Sequence, residues 1–239
     1  MKTIDVCLSP DLMHLYDVNS RIVVVVDIFR ATSCMTTAFA HGVRAIIPVA
    51  KLDECLALKS EDTYTAGERD GKKVDGFDFG NSPFEYMNAE LRGKKIAFTT
   101  TNGTQAIVKS LPAKQIIVGA FLNISAVADF LAQSHDSVLV VCAGWKGKVN
   151  LEDTLFAGAL VEKLKGYIEP DCDAPLAAAH LYAVARHNMA GFLSNSSHVK
   201  RLARLGIFKD VEFCLTPDQY NVVPVLKDGV LTRHSYTFT

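Results

Sequence analysis

Acidic, hydroxyl and cationic side chains follow three apolar segments of this sequence, at the points where predicted strands end. The segments read VVVVDIFRATS, KIAFTTTNGT and VLVVCAGWKGKVNLED, and they cover Val23–Ser33, Lys95–Thr104 and Val138–Asp153. Each is typical of an apolar strand, a polar loop of small residues and a helix. Ligands of open α/β sheets bind beyond the carboxyl ends of the strands, where the N–H groups of the next helix favour anions. The pattern predicts a metal-assisted phosphate site.

Carboxylates at two of these strand ends could bind a divalent cation. Asp27 ends the first strand, and Glu152 and Asp153 open the helix that follows the third. Mg²⁺ prefers carboxylate oxygens and water as ligands. Each position also has a structural explanation, because Asp caps helices and first-turn acids are favoured by the helix dipole. We predict that Asp27, Glu152 and Asp153 bind Mg²⁺, and that Asp27 and Glu68 are catalytic.

Guanidinium, hydroxyl and backbone amide groups of the same loops could bind a phosphoryl group. An arginine can grip phosphate through two parallel hydrogen bonds, and successive N–H groups around Asn102 and Gly103 would form an anion-binding concavity. The alternative is local structure, with Thr32 or Ser33 capping a helix and Asn102-Gly103 forming a turn. The predicted substrate-binding residues are Arg30, Thr32, Ser33, Arg69, Asn81, Thr101, Asn102, Gly103 and Thr104.

Cys142 offers a second chemical route. It opens the loop CAGWKGK after a β-branched strand, where a thiolate nucleophile of a phosphate loop would stand. Such loops usually have an arginine six residues later, but Lys148 occupies that position and lacks the bidentate fork. Buried cysteines at strand ends are also commonly inert. A cysteine phosphatase with Cys142 as its catalytic residue is kept as an alternative.

The segment SSHVKRLARLG holds a histidine whose role is open. His198 could be a general acid to the leaving group or a structural histidine, and the structural interpretation is favoured. Lys200, Arg201 and Arg204 are predicted to form a solvated helix face.

Composition limits the classes of function. The chain has 239 residues, of which 49% are hydrophobic and 21% charged, and its formal net charge is −1. No global basic field attracts it to nucleic acid or to a membrane surface. The six cysteines lack the spacing of a zinc site or a disulfide scaffold, and the sequence shows no signal peptide or apolar run of ~20 residues. We expect a cytoplasmic protein, a possible homodimer, that acts on a small-molecule phosphoester.

Alternating strand and helix patterns predict an α/β fold of three layers, αβα, around a mostly parallel or mixed sheet. Ile22–Val26, Ala31–His41 and Ala45–Val49 are expected to form a βαβ unit. The segment Thr65–Glu85 is rich in Gly and Asp and reads as a long functional loop. We predict one domain over 1–239, in which two lobes, at about 1–120 and 121–239, could enclose a cleft.

The same motifs carry a family resemblance. Taken in chain order, they are VDIFRATS, GERDGKKVDGFDFGNSP, TTTNGT, CAGWKGKVNLEDTLFAGA and SSHVKRLARLG. This set resembles the 2-phosphosulfolactate phosphatases, enzymes associated with coenzyme M biosynthesis. The resemblance runs from Asp27 to about Pro224, and several long motifs in order are more specific than any single one.

The resemblance implies a Mg²⁺-dependent enzyme that hydrolyses 2-phosphosulfolactate to sulfolactate and phosphate. In that interpretation Arg69 holds the sulfonate or the carboxylate of the substrate. The chain departs from the family pattern at Cys34 and Met35, and at Asp70, where glycine is more usual. Asp70 adds negative charge near an anionic substrate. A non-catalytic binder of anionic metabolites on the same scaffold is the remaining alternative.

Overall fold

One mixed sheet organises the chain, and the computed structural model describes residues 2–234. The strands are β1 (Thr3–Cys7), β2 (Ile22–Val26), β3 (Ala45–Pro48), β4 (Thr63–Arg69), β5 (Lys72–Lys73), β6 (Lys95–Thr99), β7 (Gln115–Gly119), β8 (Val138–Cys142), β9 (Glu169–Pro170), β10 (Pro224–Lys227) and β11 (Val230–Arg233). Within residues 2–234 these strands form a sheet in the order β5-β4-β6-β3-β11-β10-β7-β2-β8-β1-β9.

Helices alternate with most of the strands. They are α1 (Ala31–Ala40), α2 (Leu52–Ala57), α3 (Gly103–Lys109), α4 (Ile124–Gln133), α5 (Leu151–Lys163), α6 (Asp173–Ala185), α7 (Met189–Leu193), α8 (Ser197–Arg204) and α9 (Phe208–Cys214). Short 3₁₀ turns add to them at Pro10–Leu15, Pro83–Met87, Ala89–Leu91 and Phe121–Asn123.

The sheet consists of two parallel blocks joined by a hairpin. β4, β6 and β3 are mutually parallel, as are β7, β2, β8, β1 and β9. The hairpin β10–β11 is antiparallel to both of its outer neighbours, β7 and β3. Three antiparallel pairings in a row leave the two blocks running in opposite directions. The expected βαβ unit is therefore wrong, because β2 and β3 lie in different blocks and run in opposite senses.

Side chains of β2 divide the core into two clusters. Ile22, Val24 and Val26 pack with α4, α5 and α6 on one face of the sheet. Val23 and Val25 pack with α1 and α3 on the other face. All five residues of β2 are buried, as expected for a strand covered on both sides. This arrangement confirms the predicted three-layer αβα fold, while the division into lobes at about residue 120 stays a prediction.

The segment predicted as a long loop is partly strand. Its first residues, Thr65 to Arg69, complete β4, which pairs in parallel with β6. A Cβ atom on Gly67 would lie 2.4 Å from the carbonyl oxygen of Thr99, so the two strands meet where only glycine fits. The glycine and the charged residues of TAGER hid the strand pattern, because both residue types are uncommon in strands.

Candidate active site

Six segments meet at one buried cleft. They are the loop after β2, the β4–β5 turn, the segment around Asn81, the loop after β6, the loop after β8, and α8. The residues that line the cleft include Asp27, Phe29, Arg30, Glu68, Asp70, Asn81, Thr101, Asn102, Trp145, His198 and Arg201. The cavity volume is about 20 Å³, room for about one water molecule.

The two blocks of the sheet reach this cleft from opposite directions. Neighbouring strands are rotated by about 20–25°, so the five steps from β2 to β6 turn the strand direction by roughly 100°. The contact between the blocks is direct, since a Cβ atom on Gly103 would lie 2.8 Å from Oδ2 of Asp27 and 2.7 Å from Cβ of Ala31. The carboxyl ends of β2 and β6 therefore meet although the blocks run in opposite senses.

Asp27 lines the cleft with 7% of its surface exposed. Burial raises its pKa to about 6, and the neighbouring carboxylates Glu68 and Glu152 add to the rise. His198 and the backbone N–H of Ala31 oppose it. A carboxylate that titrates so close to neutral pH is typical of functional sites.

The hydroxyls of Thr32 and Ser33 bond within the loop after β2. Oγ1 of Thr32 donates to the carbonyl of Asp27 (2.9 Å) and accepts its backbone N–H (3.0 Å). Oγ of Ser33 donates to the carbonyl of Ile28 (2.9 Å). In the described structure these two predicted substrate-binding residues shape the loop and do not line the cleft.

Glu152 and His198 form a buried pair. Nδ1 of His198 lies 2.5 Å from Oε1 of Glu152, and Glu152 is 0% exposed. The imidazole also packs edge to face against Phe29, with ring centroids 5.8 Å apart. Since Glu152 holds Nδ1, Nε2 is the ring nitrogen left for the cleft that His198 lines. The structure thus gives His198 a place in the site, where the sequence favoured a structural role.

Both oxygens of Asp153 accept backbone hydrogen bonds. Ile28 donates its N–H to Oδ1 (2.9 Å), and Gly144 donates to Oδ2 (3.1 Å). Burial, reinforced by Glu152 and Asp27, raises the pKa of Asp153 well above its ordinary value. Asp153 therefore ties the loop after β2 to the loop after β8.

Glu68 also joins two loops by accepting backbone hydrogen bonds with both carboxylate oxygens. Its Oε1 accepts the backbone N–H of Thr101 (2.9 Å), and its Oε2 accepts that of Gly71 (2.7 Å). The loop after β6 and the β4–β5 turn are thereby fixed at the cleft. The predicted catalytic residue Glu68 lines the cleft with both carboxylate oxygens already bonded.

The three predicted metal ligands differ in how far the protein's own hydrogen bonds occupy their carboxylates. Within residues 2–234 no group of three or more His, Cys, Asp or Glu side chains is arranged to hold a metal ion. Asp153 is occupied by backbone amides, but buried Oε2 of Glu152 has no hydrogen-bond partner among the described residues. Mg²⁺ commonly takes one or two carboxylates and keeps several waters. Asp27 and Glu152 therefore fit Mg²⁺.

Among the predicted substrate ligands, Arg30 and Asn81 line the cleft. Nη1 of Arg30 lies 2.5 Å from Oδ2 of Asp210, and its Nη2 donates to the carbonyl of Gly71 (3.1 Å). Oδ1 of Asn81 is buried and, in the described part of the chain, unpaired. The side chain of Arg69 points away from the cleft. Its neighbour Glu68 lines the cleft, and successive side chains of a strand point to opposite faces. The guanidinium of Arg69 bonds the Glu68 carbonyl and Oγ1 of Thr99 (2.7 and 3.1 Å).

The predicted anion nest is partly occupied by internal bonds. The N–H of Thr101 donates to Glu68, and that of Thr104 donates to Oγ1 of Thr100 (3.2 Å). Oδ1 of Asn102 accepts the N–H of Lys146 (3.3 Å). Thr101 and Asn102 line the cleft, whereas Gly103 and Thr104 support it from behind.

Cys142 lies outside the cleft. Its side chain is fully buried in the apolar cluster on the α5 side of the sheet and does not line the described cleft. Burial, reinforced by Asp153, raises the pKa of its thiol well above the ordinary value. The geometry speaks against a thiolate nucleophile at this position.

Arg201 is a cleft residue that the sequence did not predict. Its guanidinium carbon lies 4.1 Å from the centroid of the Trp145 ring, at the cleft and not on a solvated face. The three-residue spacing of His198 and Arg201 was the available signal, since it places both on one side of a helix. Asp70 also lines the cleft, with its carboxylate 3.6 Å from Nζ of Lys146, which offsets its charge.

The fold and the cleft define an α/β protein with an acidic, histidine-containing active site. The sequence matches the model of the 2-phosphosulpholactate phosphatase family over residues 7–229. A protein of Thermotoga maritima is 42% identical over 228 residues, covering 95% of this chain and 96% of the relative. One of Caldanaerobacter subterraneus is 41% identical over 220 residues (90% and 91%), and one of Clostridium acetobutylicum 35% over 231 residues (95% and 98%). All three are named "Probable 2-phosphosulfolactate phosphatase".

The chain belongs to the 2-phosphosulpholactate phosphatase family. The resemblance expected from its motifs is confirmed, and the chain is an enzyme of the phosphoric monoester hydrolase class. In the part of the chain that the structure describes, no helix has the length and apolar character to cross a membrane.

Proposed function

We propose that this protein hydrolyses the phosphate monoester of a small anionic 2-hydroxy acid, 2-phosphosulfolactate, to sulfolactate and phosphate, with Mg²⁺ as its cofactor. The observation that supports it best is the buried contact of Glu152 with His198, the histidine that lines the same cleft as Asp27. A histidine with one nitrogen held by a carboxylate and the other facing a cleft is suited to proton transfer. The family and the names of its relatives supply the substrate class.

Asp27 and Glu152 would hold the metal ion. When bound, Mg²⁺ polarises a phosphoryl oxygen and orients water. Glu152 would serve two purposes, since Oε1 holds His198 and Oε2 is free of hydrogen bonds among the described residues.

The remaining cleft residues would act on the substrate directly. Nε2 of His198 would donate a proton to the oxygen that leaves the phosphoryl group, and Glu152 would stabilise the imidazolium before transfer. Arg30 has donors beyond its bonds to Asp210 and Gly71, and these would bind equatorial phosphoryl oxygens, where charge builds up. Asn81 and Thr101 would orient the same group.

Phosphate release from 2-phosphosulfolactate and a panel of phosphoesters, each with Mg²⁺ and with EDTA, tests the proposal. We expect fast release that EDTA abolishes and Mg²⁺ restores, centred on phosphosulfolactate or phospholactate. Release that survives EDTA would contradict the metal assignment. Tight anion binding without phosphate release from any ester of the panel would favour the non-catalytic alternative. The cytoplasmic location and the possible homodimer stay predictions.

A further inference from the structure

Helix α8 presents a second residue to the cleft beside His198. Oγ of Ser196 caps the helix by accepting the N–H of Val199 (3.2 Å), which fixes its first turn. Arg201 follows His198 by three residues and so lies on the same side of the helix. Both residues line the cleft.

The guanidinium of Arg201 forms no close ion pair among the described residues, although Glu68, Glu152, Asp27 and Asp70 lie near enough to act on its charge. It stacks over Trp145 at 4.1 Å, and its Nε is buried without a hydrogen-bond partner in residues 2–234. Arg30, the other arginine of the cleft, differs, because it is paired with Asp210. An unpaired buried donor costs free energy until a ligand satisfies it.

The depth of the cleft separates two kinds of site. Asp27 is 7% exposed and lies at the floor, and Glu152, 0% exposed, lies behind it against His198. Arg201 and Trp145 are half-buried and lie nearer the opening. A substrate whose phosphoryl group contacts the floor therefore extends its other end toward Arg201.

We propose that Arg201, stacked on Trp145, binds the sulfonate of the substrate and so selects sulfonated over unsulfonated phosphoesters. The assignment rests on the proposed function and replaces the expected role of Arg69, which faces away from the cleft. A guanidinium is weakly hydrated and offers a planar pair of donors to a tetrahedral oxyanion. The indole of Trp145 holds the guanidinium of Arg201 in one orientation, which reduces the conformational entropy lost when a ligand binds.

Trp145 is the single tryptophan of the chain, so its fluorescence reports on the residue that Arg201 covers. Sulfolactate, lactate and inorganic phosphate would each be titrated into wild type, Arg201→Gln and Arg201→Lys, with calorimetry as an independent readout. The matched control is Arg204→Gln, an exposed arginine of the same helix. We expect Arg201→Gln to weaken sulfolactate binding at least about 20-fold and phosphate binding less than 3-fold, with Arg201→Lys intermediate.

Steady-state kinetics gives a second test. Arg201→Gln is expected to raise KM for 2-phosphosulfolactate by a similar factor and to change KM for 2-phospholactate less than 3-fold. Equal losses for both substrates, or phosphate weakened as much as sulfolactate, would overturn the assignment and place Arg201 at the phosphoryl group. Wild-type protein that binds no sulfolactate would overturn it as well. If wild type hydrolyses neither ester, the proposed function fails, and the titrations still decide the role of Arg201.

Discussion

Nδ1 of His198 lies 2.5 Å from Oε1 of Glu152, and the two residues come from α8 and α5, 46 positions apart in the sequence. The pair is buried, so this contact is stronger than the same contact would be in water. This contact joins the helix after β8 to a segment near the end of the fold and orients the ring toward Asp27.

A general-acid role for His198 predicts a dependence on the leaving group. His198→Gln should lower kcat for 2-phosphosulfolactate by about 100-fold or more, because an alkoxide is a poor leaving group without a proton. An aryl phosphate with a good leaving group should lose far less. His180→Gln changes an exposed histidine of α6 and should leave both rates unchanged. Equal losses for both esters would contradict the role.

Asp27→Asn should abolish turnover yet stabilise the metal-free protein at neutral pH. The pKa of Asp27 is raised from 3.8 to about 6 in the folded state, so ionisation of Asp27 destabilises the folded state. The destabilisation grows as the pH rises between these two pKa values and is complete above the higher one. A shift of two units corresponds to about 3 kcal/mol.

Urea denaturation in EDTA at pH 7 and at pH 4 would measure the effect. The gain in the free energy of unfolding should be fully present at pH 7 and much smaller at pH 4, where Asp27 is protonated in the folded state and partly protonated in the unfolded state. A gain of the same size at both pH values would mean that it does not come from the carboxylate charge.

Gly103→Ala should displace Asp27 or helix α3 and so impair the site, although Gly103 does not line the cleft. The new Cβ would lie 2.8 Å from Oδ2 of Asp27 and 2.7 Å from Cβ of Ala31, so Asp27 or helix α3 must move. We expect a loss of about 1–3 kcal/mol in stability and at least about a tenfold fall in kcat/KM, larger than the stability loss explains. Lys109→Ala, an exposed position of the same helix, should keep full activity.

Asp210→Ala should destabilise the fold through Arg30. Asp210 accepts from Arg30 (2.5 Å) and from Oγ of Ser82 (3.1 Å), and its removal leaves a buried guanidinium unpaired. Breaking such a pair costs about 3–5 kcal/mol. The double variant with Arg30→Met should recover much of that stability in thermal denaturation but no activity. An unchanged melting temperature in the single variant would exclude a stabilising role for the pair.

Cys142→Ser should retain activity. The thiol is buried outside the cleft and its pKa is raised, so no step of the proposed reaction needs it. The hydroxyl in an apolar cluster should cost about 1–3 kcal/mol of stability. Loss of kcat in a protein that is still folded would restore the cysteine route.

Local sequence patterns predicted most elements but not their pairing. The β-branched run of β2 and the turn residues after it mark a buried strand and a helix, and both are present. The opposite sense of β2 and β3 depends on the hairpin β10–β11, more than 170 residues further along the chain than β3. No local pattern near β3 contains that information.

The sequence predicted those site residues that directly follow the end of a strand. Asp27, Arg30 and Thr101 lie after strands and line the cleft. Arg201 was missed and His198 was favoured as structural, because a helix with a lysine and two arginines looks solvated until its packing against Trp145 and Glu152 is known. Arg69 and Glu68 are neighbours on one strand, and only the orientation of that strand decides which of them faces the cleft.

The position of the joining hairpin also sets an order of assembly during synthesis. β10 and β11 connect two blocks whose other strands all precede them in the sequence. A nascent chain that stops before Pro224 has every residue of the cleft but lacks the strands that hold β7 beside β3. The ribosome must therefore release that last hairpin before the two halves of the active site are locked together.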